Sequence, residues 1–207
     1  MKPEAVVFDV GNVLTHWQPE VHYDRVLGRE ARERLFAEVD LHAMNDLIDL
    51  GAPFRDTVEA WAQAHPDHAQ GIRMWFTDWQ SLASPRIDGS IRLLRALRAK
   101  GVPVFVLSNF GTHYHDESLT GMEFLAEFDR FYVSGVLGVA KPDPRIYEIV
   151  EQDSGVPPDR LIFADDRADN ITEAARRGWR THQFESWQGW ARRLVAEDLL
   201  TMEEAGL

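Results

Sequence analysis

The strongest constraint on this chain is an alternation. Short, mainly apolar runs at residues 5–8, 102–107 and 160–164 are separated by segments with helical spacing, and each run stops at polar residues: Asp9, Ser108-Asn109 and Asp165-Asp166. Ala5-Val6-Val7-Phe8 carries no polar position, as expected of a strand covered on both faces. Ile91, Leu93, Leu94 and Leu97 followed by Gly101 read as a helix closed by a glycine cap, leading into the second run. Residues 171–177, closed by Gly178, form a further helical segment, and 131–133 and 181–184 are shorter strand candidates. Strands alternating with helices imply an α/β fold, a doubly wound parallel sheet of Rossmann-like type, in which ligands sit beyond the carboxyl ends of the strands.

One interval breaks the rhythm. Residues 16–85, about seventy in number, lie between the first and second strands, far more than a crossover needs. Their helical spacing predicts an inserted, all-helical cap, so the expected organisation is a core domain of residues 1–15 and 86–207 and a cap of residues 16–85. Trp75, Phe76 and Trp79 within it are expected as core, with a lid over the site as the other reading. The 207 residues suit one such unit.

Charge and composition narrow the chemistry. With 34 acidic residues against 22 Lys and Arg, the net charge of -12 opposes binding to nucleic acid or to an anionic membrane surface. No run of 18 apolar residues and no signal-type segment occurs, so a soluble, cytoplasmic protein is expected. The absence of cysteine excludes disulfides, thiolate metal sites and a cysteine nucleophile, and leaves oxygen or imidazole as metal ligands.

The polar residues at the strand ends form a coherent set. The Asp9 carboxylate can attack phosphorus to give an aspartyl-phosphate. Ser108 and Asn109 can hydrogen-bond phosphoryl oxygens, Lys141 can neutralise developing charge, and Asp165 and Asp166 can hold Mg2+ beside Asp9. A dianionic ester approaches an anionic nucleophile only if cations offset the repulsion, so each group makes the others useful. Taken singly, a strand-end Asp is as readily a turn or helix cap as a catalyst. Lys141, in Val-Ala-Lys-Pro-Asp-Pro, has its direction restricted by Pro142.

The segments Val7-Phe8-Asp9-Val10-Gly11-Asn12-Val13-Leu14, Val106-Leu107-Ser108-Asn109, Lys141-Pro142-Asp143-Pro144-Arg145-Ile146-Tyr147 and Phe163-Ala164-Asp165-Asp166-Arg167-Ala168-Asp169-Asn170-Ile171 resemble, in order, the four motifs of the haloacid dehalogenase (HAD)-like hydrolase superfamily. The long insertion after the first motif resembles the C1 cap, and the Asp-x-Gly-Asn-Val opening is similar to that of bacterial sugar phosphatases of the α-D-glucose-1-phosphate phosphatase kind. The resemblance implies Asp9 as nucleophile and metal ligand and the Gly11 carbonyl as a further ligand. It implies Ser108, Asn109 and Lys141 at the phosphoryl group, and Asp165 and Asp166 at the magnesium. Asp169 and Asn170 are left between site and solvated turn or helix cap.

The resemblance also exposes a departure. Most phosphatases of this superfamily carry a second aspartate two positions after the nucleophile as general acid, and here that position is Gly11. Substitute donors suggested by the sequence are His16, His22 and Asp46. The expected activity is Mg2+-dependent hydrolysis of a small phosphorylated metabolite, such as a sugar phosphate. The alternatives are a low-activity phosphate-binding regulatory protein and a metal-free 2-haloacid dehalogenase, the latter disfavoured because the Asp165-Asp166 pair would repel a carboxylate substrate. Neither substrate identity nor oligomeric state is legible.

Overall fold

The computed structural model describes residues 2–115 and 121–207. Five strands, β1 (Ala5–Phe8), β2 (Val104–Ser108), β3 (Arg130–Val133), β4 (Leu161–Asp165) and β5 (Arg180–Gln183), form one sheet in the order β3-β2-β1-β4-β5 with every pairing parallel. The α/β expectation and its strand sites are borne out. The second and fourth strands run one residue further than their apolar stretches. Ser108 pairs with Val133 and Asp165 with Gln183, because the backbone ladder continues past the point where side chains turn polar.

β1 lies at the centre, buried on both faces. Val6 and Phe8 point to one layer, where α7 (Asp88–Ala99) and α11 (Trp187–Ala196) supply Leu93, Leu94, Trp190 and Leu194. Ala5 and Val7 point to the other, packed by α9 (Pro144–Ser154) and α10 (Ala168–Arg176) through Ile146, Tyr147, Val150 and Ala174. Local chemistry sets the helix ends. Asp143 caps α9 by accepting from the Arg145 N–H, Pro144 opens that helix, and Gly101 and Gly178 follow α7 and α10 with φ of 70° and 92°.

Between β1 and α7 the chain forms an all-helical insertion: α1 (Pro19–Leu27), α2 (Arg29–Glu38), α3 (Leu41–Asp49), α4 (Phe54–Ala64), α5 (Ala69–Thr77) and α6 (Trp79–Leu82). The segments leading into and out of it touch. Thr15 bridges Arg86, and the His16 N–H donates to the Pro85 carbonyl. Trp75 is fully buried and Trp79 is 5% exposed, as expected of core, whereas Phe76 turns outward at 38%. The apolar cluster runs without a break from Leu35, Met44 and Trp75 in the insertion to Phe8, Leu94 and Trp190 at the sheet. Among the described residues no helix is long and apolar enough to cross a membrane.

Candidate active site

The sheet order places the ends of β1, β2 and β4 side by side, and their polar residues converge on one cavity of about 290 Å³. Asp9, Gly11, Ser108, Asn109, Lys141 and Asp166 line it, and Asp165 lies immediately beneath, fully buried. These are the residues that the sequence singled out, brought together from four separated segments.

Lys141 organises the floor. It is 5% exposed, and its ammonium lies 2.6 Å from Asp165 Oδ2 and 2.9 Å from Asp9 Oδ1, while donating to the Leu107 carbonyl at 2.8 Å. Its backbone is held by Asn109: the Asn109 amide donates to the Lys141 carbonyl at 2.9 Å, and the Lys141 N–H donates to Asn109 Oδ1 at 2.8 Å. The Asn109 side chain therefore positions the lysine, and these two bonds use only one of its two amide N–H donors. Asp165 is engaged on both oxygens. It accepts from Lys141, from the Arg167 N–H at 2.8 Å, and from the Asn170 amide at 3.0 Å to each oxygen. Asn170, at the start of α10, thus faces inward to the carboxylate, while Asp169 pairs outward with Arg167 at 2.7 Å.

Asp9, Asp165 and Asp166 each offer a carboxylate oxygen, all within 4.8 Å of one another. Three such groups against one ammonium leave surplus negative charge in a desolvated place, which an oxygen-seeking cation would neutralise. Asp166 reaches the cavity and accepts from Asn12 Nδ2 at 2.9 Å, and Asn12 in turn accepts from the Trp17 N–H. Asn12 adopts φ of 55°, a left-handed conformation that asparagine tolerates, and this turns its amide back toward Asp166. Burial pushes Asp9 up to about 6 against the pull of Lys141, with Asp165 adding to the rise. Burial also raises Asp166, partly offset by the Asn12 hydrogen bond. Burial alone would pull Lys141 down, but Asp165 and Asp9 overcome it and hold the ammonium above its ordinary value.

The insertion supplies the roof. His42, Asn45, Asp46 and Asp49 of α3 line the cavity together with Trp17 and Trp79. Two of the substitute donors suggested by sequence fall elsewhere. His16 is exposed and outside the lining, and His22 is buried against Asp78 at 2.8 Å with Arg25 on its other nitrogen. Asp46 does face the cavity, although it is exposed. Sequence reasoning missed Asp49, Asn45 and the inward role of Asn12. Only Asn12 carried a signal, its place inside the first motif. The others are one acidic and one amide residue on a helix with no pattern to mark them.

Residues 3–178 match a family model described as haloacid dehalogenase-like hydrolase. The phosphoserine phosphatase of Thermus thermophilus is 25% identical over 162 residues, covering 76% of this chain and 65% of its own length. The (S)-2-haloacid dehalogenase H-109 of Pseudomonas putida is 31% identical over 86 residues, covering 42% of this chain and 38% of its own length. The chain thus spans less than two thirds of either relative. Among solved structures, HAD family enzyme bt-2542 of Bacteroides thetaiotaomicron aligns with a TM-score of 0.68 at 20% identity, covering 94% of this chain and 99% of that one. A magnesium complex of that enzyme is also known.

Proposed function

The chain belongs to the haloacid dehalogenase-like hydrolases, and we propose that within that family it is a magnesium-dependent phosphatase acting on a small phosphorylated metabolite, with a sugar phosphate as the expected class. The observation that carries this reading is the set of Asp9, Asp165 and Asp166, with oxygens within 4.8 Å, of which Asp9 and Asp165 share one buried lysine. A haloacid is itself a carboxylate and would meet repulsion from Asp166, whereas a phosphate monoester needs the cation that this donor set fits.

In this reading the Asp9 carboxylate oxygen that is not paired with Lys141 attacks phosphorus. The bond from phosphorus to the ester oxygen breaks and an aspartyl-phosphate forms, which water then hydrolyses. Ser108 hydrogen-bonds an equatorial phosphoryl oxygen, and the Lys141 ammonium, its three N–H bonds held by Asp9, Asp165 and the Leu107 carbonyl, lends positive charge where charge develops. Asn109 contributes by fixing Lys141, and Asn170 by fixing Asp165. Mg2+, held by Asp9, Asp166 and the Gly11 carbonyl with Asp165 alongside, would supply neutralising charge for the incoming dianion. The helical insertion, taken as residues 16–85, serves as the cap that excludes bulk water and selects the substrate.

The test is hydrolysis of 4-nitrophenyl phosphate by the purified chain with MgCl2. The expected result is nitrophenolate release that stops on chelation and is lost in Asp9→Asn. Release by the Asn variant at the wild-type rate would overturn the nucleophile. Halide release from 2-chloropropionate in the presence of a chelator, without phosphate release from the ester, would replace the phosphatase with a dehalogenase.

A further inference from the structure

The glycine at position 11 leaves the reaction above without a proton donor for the leaving oxygen, and the structure brings a carboxyl from the helical insertion into the same cavity. Asp49 is the last residue of α3 and lines the roof while Asp9 lines the floor. Its setting is built. Asn45, one turn earlier, donates its amide to Asp49 Oδ2 at 2.9 Å, and Asn45 Oδ1 accepts from the indole N–H of the fully buried Trp75 at 3.0 Å. Flipping the Asn45 amide would break both bonds, so the network presents a donor to Asp49 Oδ2 and leaves Oδ1 as the oxygen to carry a proton.

The backbone is clamped as well. The buried Ser134 hydroxyl donates to the Asp49 carbonyl at 2.5 Å and accepts from the Phe110 N–H at 3.0 Å. One hydroxyl therefore ties Asp49 to the loop that follows Ser108 at the end of β2 and begins with Asn109, which sets the roof carboxyl in register with the phosphoryl-binding residues.

The electrostatics favour the neutral acid. Burial is the largest cause and pushes Asp49 up to about 7, with Asp46 on its own helix and Asp9 on the same cavity adding to the rise, and the Asn45 hydrogen bond and then Lys141 opposing it. The packed neighbour α8 (Ser134–Leu137) brings no charge, and the carbonyl end of α3 disfavours an anion at its last residue.

Resting on the phosphatase reading, we propose that Asp49 is the general acid and base of the reaction, replacing the carboxyl that Gly11 lacks. As Asp9 attacks, the electron pair of the breaking phosphorus–oxygen bond goes to the leaving oxygen, which takes the Asp49 proton and departs as an alcohol. Water then enters on the same side, opposite Asp9. The Asp49 carboxylate takes a proton from this water as its oxygen bonds phosphorus, and the electron pair of the aspartyl bond returns to Asp9. Inorganic phosphate leaves and Asp49 is again protonated. In-line geometry at phosphorus gives the leaving oxygen and the water the same position, so one carboxyl serves both halves.

Asp49→Asn separates this role from a structural one. With MgCl2, kcat/KM for phenyl phosphate should fall by about tenfold or more, while that for 4-nitrophenyl phosphate, whose phenolate leaves without a proton, stays nearly unchanged. Because kcat/KM reports steps only through leaving-group departure, the second half is read separately. The variant should release a burst of about one nitrophenolate per enzyme before a slow steady state, as the phosphoenzyme accumulates. An equal fall for both esters without a burst, or no change for either, would overturn the assignment, and the burst distinguishes a folded variant from a collapsed one. Absence of magnesium-dependent hydrolysis of either ester by the wild type would instead remove the phosphatase reading and this assignment with it.

Discussion

Asp49 has a signature that does not depend on turnover. An acid whose value rises from 3.8 to about 7 on folding holds its proton longer in the folded than in the unfolded chain. Below 3.8 both states are protonated and nothing is lost, and between 3.8 and about 7 stability declines as pH rises, because the unfolded chain ionises first. Asp49→Asn removes that decline. Its unfolding midpoint relative to wild type should therefore rise between pH 5 and pH 8, by an amount corresponding to a few kcal/mol at most on the order of the linkage scale. A pH-independent difference would show that Asp49 is not the titrating group. Gly11 offers the complementary test. A Cβ there would meet only Trp17 Cβ at 3.9 Å, and its backbone is not left-handed, so Gly11→Asp should be accommodated. In an Asp49→Asn background it should restore about tenfold or more of the lost kcat/KM for phenyl phosphate. No recovery would mean that a carboxyl at position 11 cannot reach the leaving oxygen.

At the scale of elements, the role proposed for Asp49 depends on how firmly α3 is held against the end of β3. Ser134 bridges the two, and its replacement by Ala would leave the Asp49 carbonyl and the Phe110 N–H without their partner in a buried place. Ser134→Ala should cost about 1–3 kcal/mol in denaturant unfolding, and it should depress phenyl phosphate turnover more than 4-nitrophenyl phosphate turnover. Gly51, just after α3, makes the same junction possible. Its φ is 103°, and a Cβ would lie 2.6 Å from the Gly135 carbonyl, so Gly51→Ala should be more destabilising than Ser134→Ala in the same measurement. Neither junction was legible in the sequence. A serine after a short strand and a glycine after a helix are ordinary punctuation until the fold sets them against each other.

For the molecule as a whole, the continuous apolar cluster makes the insertion and the sheet one cooperative unit. Leu35→Ala in α2 and Leu94→Ala in α7 should each cost about 2–5 kcal/mol and lower the midpoint of one calorimetric transition. Two transitions moving independently would show separate cores. The sequence by itself determined the α/β class and the strand sites, and it singled out Asp9, Ser108, Asn109, Lys141, Asp165 and Asp166, which the fold gathers at one cavity. All but Lys141 were legible because buried parallel strands leave unbroken apolar runs, and the residues that end such runs are confined to one edge of the sheet, whereas Lys141 was marked by its Val-Ala-Lys-Pro-Asp-Pro setting. Only the tertiary structure decided which side chains meet: that Asn109 serves Lys141, that Asn170 serves Asp165, and that Asp49 lines the same cavity as Asp9. Helical spacing reports which face of an insertion is apolar but not how that insertion is docked. The partner across the cavity is therefore set by packing between segments far apart in the chain, which no local pattern encodes.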